Sequence, residues 1–106
     1  MHADYHSSTG GIDVLSYGEV DDPPPPAATE VLIRVRASSI DRVDVYFREG
    51  SHGMIIRQQP FIGGRDIAGD VVSIGSAVTR IQVGDAVVAS GSRTHAKSPY
   101  SESCSL

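Results

Sequence analysis

Closely spaced turn signals divide the second half of the chain into short apolar segments, and this spacing strongly limits the fold. The run Asp66–Ile74 is rich in valine and isoleucine, as buried strands are, and a glycine-serine pair at 75–76 ends it. Residues 77–83 alternate imperfectly, a glycine-aspartate pair supplies a second turn, and Ala86–Ala89 begins another apolar strand. Three short elements in succession, with no helix between them, predict an antiparallel, barrel-like core.

The glycines of this region do not form a dinucleotide-binding fingerprint. Such a fingerprint needs G-x-G-x-x-G spacing at the transition from a strand to a helix. No transition of this kind follows the glycines, which lie at positions 63, 64, 69, 75 and 84. The region therefore does not predict a phosphate-binding loop.

The first part of the chain predicts strands and a loop. Strands are expected at residues 1–6, 14–20 and 30–37. In the last of these, apolar residues alternate with two arginines that should face solvent or a cleft. Four consecutive prolines at 23–26 indicate an extended surface loop, rather than a ligand for a partner's groove.

A short helix is expected after the third strand. Asp41 is a good N-cap residue, and Gly50 supplies a stop signal. Between them, Val43, Phe47 and Tyr46 should turn toward the core.

Charge and cysteine content exclude several classes of function. The formal net charge of −4 and the absence of a basic cluster argue against nucleic acid or an anionic membrane surface as a partner. The single cysteine, Cys104, excludes an internal disulfide and a cysteine-clustered zinc site. No apolar run resembles a membrane span or a signal peptide, so we expect a soluble, cytoplasmic protein that binds small molecules or proteins.

The length and the C-terminal composition predict one domain followed by a tail. A chain of 106 residues holds one domain at most. Residues 91–106 are rich in serine and contain few large apolar side chains. We therefore expect a globular domain at residues 1–90 and a disordered, strandless tail at residues 91–106.

A series of short motifs follows one another along the predicted domain. They include G-I-D-V-L at 11–15, E-V-L-I-R-V at 30–35, A-S-S-I at 37–40, D-R-V-D-V-Y at 41–46, R-E-G at 48–50, G-R-D at 64–66, I-G at 74–75 and V-G-D at 83–85. In this order they resemble the start of the medium-chain dehydrogenase/reductases. The likeness is closest to the zinc-free quinone oxidoreductase branch, which includes zeta-crystallin.

The resemblance implies a GroES-like catalytic domain, mainly β with short helices and built as a twisted β-barrel. We expect this barrel to be incomplete, and we expect no Rossmann domain in this chain. In full-length members NADPH binds mainly to the Rossmann half, and its hydride reduces a quinone or an enone. The chain alone is therefore expected to bind no cofactor tightly and to have little or no activity.

The resemblance also assigns five residues to a cleft, without a catalytic residue among them. Asp41 stands where zinc-dependent relatives have cysteine and zinc-free relatives have asparagine, and Tyr46 resembles a cleft tyrosine. Gly64, Arg65 and Asp66 stand where the zinc-dependent enzymes have Gly-His-Glu. Because a guanidinium cannot ligate zinc, we expect no metal at this position.

Several of these residues also suit purely structural roles. Asp41 suits a helix cap, which we favour over contact with a ligand. Tyr46 is explained equally well as a half-buried aromatic residue. Asp44 and Asp66 are expected to accept structural hydrogen bonds, with Arg65 as a candidate partner. The four histidines share no metal-ligand spacing and are expected on the surface.

Two other interpretations stay open from the sequence. One is a non-catalytic β-barrel module that binds a full-length relative or associates with itself, because an incomplete barrel leaves a strand edge open. The other is a truncated product without a stable fold.

Overall fold

The structure, a computed structural model, describes residues 1–56 and 59–90, together with the backbone of residues 101–102. In chain order, the elements in this part of the chain are β1 (His2–Tyr5), a 3-10 turn (Ile12–Val14), β2 (Ser16–Glu19), β3 (Val31–Ser39), α1 (Arg42–Glu49), β4 (Asp66–Ile74), β5 (Ala86–Ala89) and β6 (Ser101–Glu102). No helix within it is long and apolar enough to cross a membrane.

The strands form two antiparallel sheets. One sheet has the order β5-β4-β3-β6, and the other consists of β1 and β2. The longest pairing joins β3 to β4, from Val31 opposite Ile74 to Ser39 opposite Asp66. Within the described residues these sheets do not close into a barrel. The mainly β fold with an incomplete barrel, expected from the sequence, is therefore confirmed.

The core lies on one face of the larger sheet. Val31 and Ile33 on β3 are 2% and 1% exposed, and they pack against Ile67 and Val71 on β4 and Ala89 on β5. Alternate residues of an extended strand point to the same face, so the period of two in the sequence places these side chains together. The result is a small core made largely of β-branched residues.

The predicted alternation along β3 is confirmed for its first part only. Arg34 and Arg36 are exposed, and the Nε of Arg36 donates to Asp70 on the neighbouring strand at 2.8 Å. Ala37, expected on the buried face, is exposed. The reason is a shift of register between Val35 and Ala37, which breaks the alternation.

Two glycines allow backbone segments to approach more closely than any side chain permits. A Cβ at Gly69 would collide with the carbonyl oxygen of Arg34 and lie 2.8 Å from Cγ2 of Ile33. A Cβ at Gly75 would collide with the carbonyl oxygen of Ala27. The sequence suggested only a turn at Gly75, whereas the structure also requires glycine there for close approach.

The expected element at residues 77–83 is not a strand. This segment consists of turns and irregular backbone between β4 and β5. The amide of Val71 donates to the carbonyl of Asp85 at 2.9 Å, and the amide of Gly84 donates to the carbonyl of Val71 at 2.8 Å. Because β5 returns directly onto β4, residues 77–83 only connect the two strands, and the prediction of a middle element was wrong.

The prediction of four surface histidines was wrong for His6. His6 is 3% exposed, and its backbone exchanges hydrogen bonds with Phe61 at 3.0 and 2.8 Å while the two rings pack 5.2 Å apart. His6 is buried because its backbone pairs with a distant segment of the chain. The surface prediction rested only on the absence of metal-ligand spacing, and that spacing carries no information about such a pairing. His2 and His52 are exposed as predicted, whereas His95 lies outside the described residues.

A short strand occupies part of the predicted tail. The backbone of Ser101 and Glu102 pairs with Leu32 and Val31 on β3. Its low hydrophobicity gave no sign of a strand, because the pairing depends on the edge that β3 presents. The other residues of the range 91–106, including Cys104, lie outside the described residues.

Gly69→Ala tests the close approach of β3 and β4. Because the added Cβ meets backbone as well as a buried side chain, we expect the free energy of unfolding in urea to fall by about 3 kcal/mol. The control is Gly18→Ala, whose Cβ would lie 3.6 Å from Cε1 of Tyr5 and should change stability by less than about 1 kcal/mol. Equal effects of the two variants would contradict this account of the core.

Candidate functional site

The candidate site is built around the N-terminus of α1. The Oδ1 of Asp41 accepts hydrogen bonds from the amides of Val43 and Asp44 at 2.7 and 3.2 Å. In return, Oδ2 of Asp44 accepts from the amide of Asp41 at 2.9 Å. These reciprocal bonds form a capping box, which satisfies amides that the helix itself leaves without acceptors. The helix cap favoured from the sequence is therefore present.

A second hydrogen bond of Asp44 brings a distant residue to the helix. Asp44 is 9% exposed, and its Oδ1 accepts from the amide of Gly64 at 2.9 Å. Gly64 has a φ of +97°, a conformation that residues with a Cβ seldom adopt. One carboxylate thus joins the start of α1 to the segment that leads into β4, and it brings Asp41 and Gly64 into one group.

Asp66 belongs to the same end of the sheet and has its own structural partner. It is the first residue of β4 and pairs with Ser39 of β3. Its Oδ1 accepts from the hydroxyl of Ser90 at 2.7 Å. The expectation that Asp66 accepts a structural hydrogen bond is confirmed. Arg65 is half-buried and lies between Gly64 and Asp66 in the chain.

Tyr46 lies on α1 but has a different neighbour. Its half-buried ring stacks on His52, with centroids 3.8 Å apart and an interplanar angle of 23°. In the part of the chain that the structure describes, no hydrogen bond or ring contact joins Tyr46 to Asp41 or Gly64. The structure therefore brings Asp41 and Gly64 together and places Tyr46 in a separate stacked pair.

An aromatic cluster fixes α1 against the segment before β4. Phe47 stacks on Phe61 at 5.1 Å, and Phe61 packs on His6 at 5.2 Å. The sequence predicted that Phe47 turns inward but did not predict these partners. The sequence also did not predict the hydrogen bond between Asp44 and Gly64, which joins segments far apart in the chain. The three-residue spacing of Asp41 and Asp44, in contrast, is that of a capping box.

The chemistry available at this site is that of hydrogen bonding. Across residues 1–56 and 59–90, no three side chains of His, Cys, Asp or Glu come together as a metal site would require. Asp41 and Asp44 offer carboxylate acceptors that are already oriented by backbone amides. The phenol of Tyr46 is half-buried in its stack on His52, and a phenol hydroxyl can both donate and accept a hydrogen bond.

Asp44→Ala tests the link between α1 and Gly64. The change removes the acceptor of two part-buried amides, and we expect the free energy of unfolding to fall by about 2–4 kcal/mol. Asp85→Ala is the matched control, because that carboxylate accepts one exposed amide, from Gln82, and should cost about 1 kcal/mol or less. Chemical denaturation measures both, and an equal loss would contradict the role given to Asp44.

Comparison with known proteins identifies the family of this chain. Residues 27–105 match the family model of the alcohol dehydrogenase GroES-like domain. The chain is 40% identical over 91 residues to the chloroplastic quinone-oxidoreductase homolog of Spinacia oleracea, covering 84% of this chain and 27% of the relative. It is 35% identical over 99 residues to the chloroplastic NADPH-dependent alkenal/one oxidoreductase of Arabidopsis thaliana, covering 93% of this chain and 26% of that protein.

A solved structure shows the same similarity in three dimensions. The Escherichia coli quinone oxidoreductase, determined in complex with NADPH, superposes with a TM-score of 0.77 at 31% identity. The alignment covers 87% of this chain and 28% of the enzyme, and the chain spans about a quarter of the length of its curated relatives. The chain therefore belongs to the alcohol dehydrogenase GroES-like domain family, and its relatives are quinone oxidoreductases of the medium-chain dehydrogenase/reductase superfamily.

Proposed function

We propose that this chain forms the substrate-side domain of a zinc-independent, NADPH-dependent reductase that acts on a quinone or an enone. The observation that carries the proposal is the group formed by Asp41, Asp44 and Gly64, which occurs in a chain 40% identical to a quinone-oxidoreductase homolog. The relatives suggest the class of reaction, and the hydrogen-bonded group would form one wall of the substrate cleft.

The donor and acceptor groups of the cleft fit the nicotinamide end of NADPH. The carboxylate of Asp41 can accept from the amino group of the nicotinamide carboxamide, although it cannot donate as an asparagine would. Its orientation is fixed by the amides of Val43 and Asp44. NADPH, when bound, supplies the hydride.

The remaining cleft residues would hold the substrate. The phenol of Tyr46 can donate a hydrogen bond to a carbonyl oxygen of a quinone or an enone, and negative charge develops on that oxygen during reduction. The segment from Gly64 to Asp66 would form the floor of the cleft, and it would limit the access of water. Asp44 would act through its neighbours, because it positions both Asp41 and Gly64.

The donor set does not suit zinc. Zinc sites are built from thiolates, imidazoles and carboxylates, whereas this position offers the carboxylate of Asp41 and the permanently charged guanidinium of Arg65. The Oδ1 of Asp41 also accepts two backbone amides already. We therefore propose that the reduction proceeds without zinc. The cytoplasmic location expected from the sequence stays a prediction.

Titration with NADPH tests the proposed cofactor site. We expect weak binding to the chain, with NMR shifts centred on Asp41, Tyr46 and Gly64 and a change in nicotinamide fluorescence. Asp41→Asn should weaken binding by about tenfold, because the amide keeps the helix cap through Oδ1 but replaces the oxygen that accepts from the carboxamide by an NH2 donor. The control Asp21→Asn removes the same charge from the exposed loop and should leave binding unchanged.

Two outcomes would count against this proposal. NMR shifts confined to other surfaces would show that NADPH does not bind at the proposed site. Equal effects of Asp41→Asn and Asp21→Asn on the affinity for NADPH would mean that net charge alone causes the change. We also expect little or no NADPH-dependent quinone reduction by the 106 residues alone, and clear turnover would contradict that expectation.

A second candidate function is self-association or pairing with a full-length relative. The observation that favours it is strand β5, which lies at the edge of its sheet in the described residues and carries Val88 at 82% exposure. Exposed strand edges recruit further strands.

Light scattering over a range of concentrations tests this candidate. We expect mass to rise with concentration and the rise to disappear in Val88→Lys, because a charged residue blocks edge pairing. Val83→Lys changes an exposed valine outside the strands and serves as the control. A monomer at every concentration would exclude this candidate.

A further inference from the structure

Charge is distributed unevenly along the chain. Residues 1–30 contain six of the thirteen Asp and Glu residues and no Lys or Arg. All nine Lys and Arg residues lie in residues 31–106, together with the other seven Asp and Glu residues. The chain therefore has an acidic first part and a weakly basic remainder. Such a distribution favours contact between unlike parts of two copies over contact between like parts.

The hairpin of β1 and β2 carries part of this acidic charge on one exposed face. His2 is paired with Glu19, and Asp4 is paired with Tyr17. Residues directly opposite each other in an antiparallel pair point to the same side, and all four are exposed, with Tyr17 at 72%. The ring of His2 stacks on that of Tyr17, with centroids 5.8 Å apart. We call these four residues the acidic hairpin face. Two carboxylates beside an aromatic ring suit a guanidinium group.

The larger sheet has an uneven pair of faces, since the core covers only one of them. On the other face, Asp70 of β4 is paired with Arg34 on one side and with Ala86 on the other. Two residues earlier in β4, Ala68 is paired with Val88, which is 82% exposed. Alternate residues of a strand share a face, so these side chains lie together. We call this surface the arginine face, and it consists of Arg34, Arg36, Ala68, Asp70, Ala86 and Val88.

The arginine face carries an excess of positive charge. Its single carboxylate, that of Asp70, accepts from the Nε of Arg36 at 2.8 Å. The side chain of Arg36 is nevertheless 66% exposed, and Arg34 is exposed beside it. Two guanidinium groups and an exposed valine therefore face outward together, opposite in charge to the acidic hairpin face.

We propose that the acidic hairpin face of one copy binds the arginine face of a second copy. Asp4 and Glu19 receive the guanidinium of Arg34, whose planar donors match carboxylate oxygens. The exposed ring of Tyr17 supplies a cation–π contact and apolar surface. A second copy is the favoured partner, because this chain carries both complementary surfaces. The contact goes beyond the reductase function and differs from strand pairing at the β5 edge, because it uses side chains and not the backbone.

Sedimentation velocity of the full chain over a range of concentrations tests this contact. The mean mass should rise with concentration at about 0.02 M salt, and the rise should shrink at about 0.5 M salt, because salt screens exposed charges. Arg34→Glu should weaken association by about tenfold, and Tyr17→Thr by about threefold. The control Arg80→Glu makes the same charge change at an exposed residue outside both faces and should leave association unchanged. Melting temperatures check that each variant is folded, and Tyr17→Thr decides if Arg34→Glu is not.

A mixture of two variants gives the sharpest result. Glu19→Arg and Arg34→Glu should each associate poorly alone, since each places like charges in the contact. Their equimolar mixture should associate again, because the new arginine of one chain meets the new glutamate of the other.

Two outcomes would overturn the inference. One is loss of association in Val88→Lys but not in Arg34→Glu or Tyr17→Thr, which would assign association to the β5 edge alone. The other is a monomer at every concentration, which would also exclude the β5 edge. Neither outcome affects the reductase proposal, which the NADPH titration tests separately.

Discussion

The buried carboxylate of Asp44 is the interaction on which the candidate site depends. It accepts one hydrogen bond from a residue three positions earlier, Asp41, and one from a residue twenty positions later, Gly64. A buried carboxylate is tolerated only when its oxygens find donors, and a buried amide loses stability when its acceptor is removed. Local helix capping and long-range attachment therefore depend on the same side chain. Neither can change without affecting the other.

The pairing of β3 and β4 brings the two segments that Asp44 joins close together. Ser39 lies opposite Asp66 at the end of the two strands. Continuing each chain by two residues past that pair reaches Asp41 on one side and Gly64 on the other. The register of the core therefore determines which residues meet beyond the sheet. Gly69 protects that register, because its missing side chain lets β4 lie against the backbone of β3.

Local features of the sequence predicted much of this arrangement. They did not predict the contacts between segments that are far apart in the chain. The cap at Asp41 and the left-handed stop at Gly50 are set by neighbouring residues, and both are present. The burial of His6 and the approach of Gly64 to Asp44 depend on segments far apart in the chain. No spacing rule within one segment contains that information. Likewise, composition gave no sign that residues 101–102 would pair with β3.

The capping box also limits what α1 can bind. A helix N-terminus attracts phosphate when its first amides are free and its dipole is uncompensated. Here Asp41 accepts from the amides of Val43 and Asp44, and two carboxylates lie against the positive end of the helix. A pyrophosphate would meet occupied donors and like charge. The N-terminus of α1 is therefore closed to phosphate by its own cap, and its amides serve the fold of the domain.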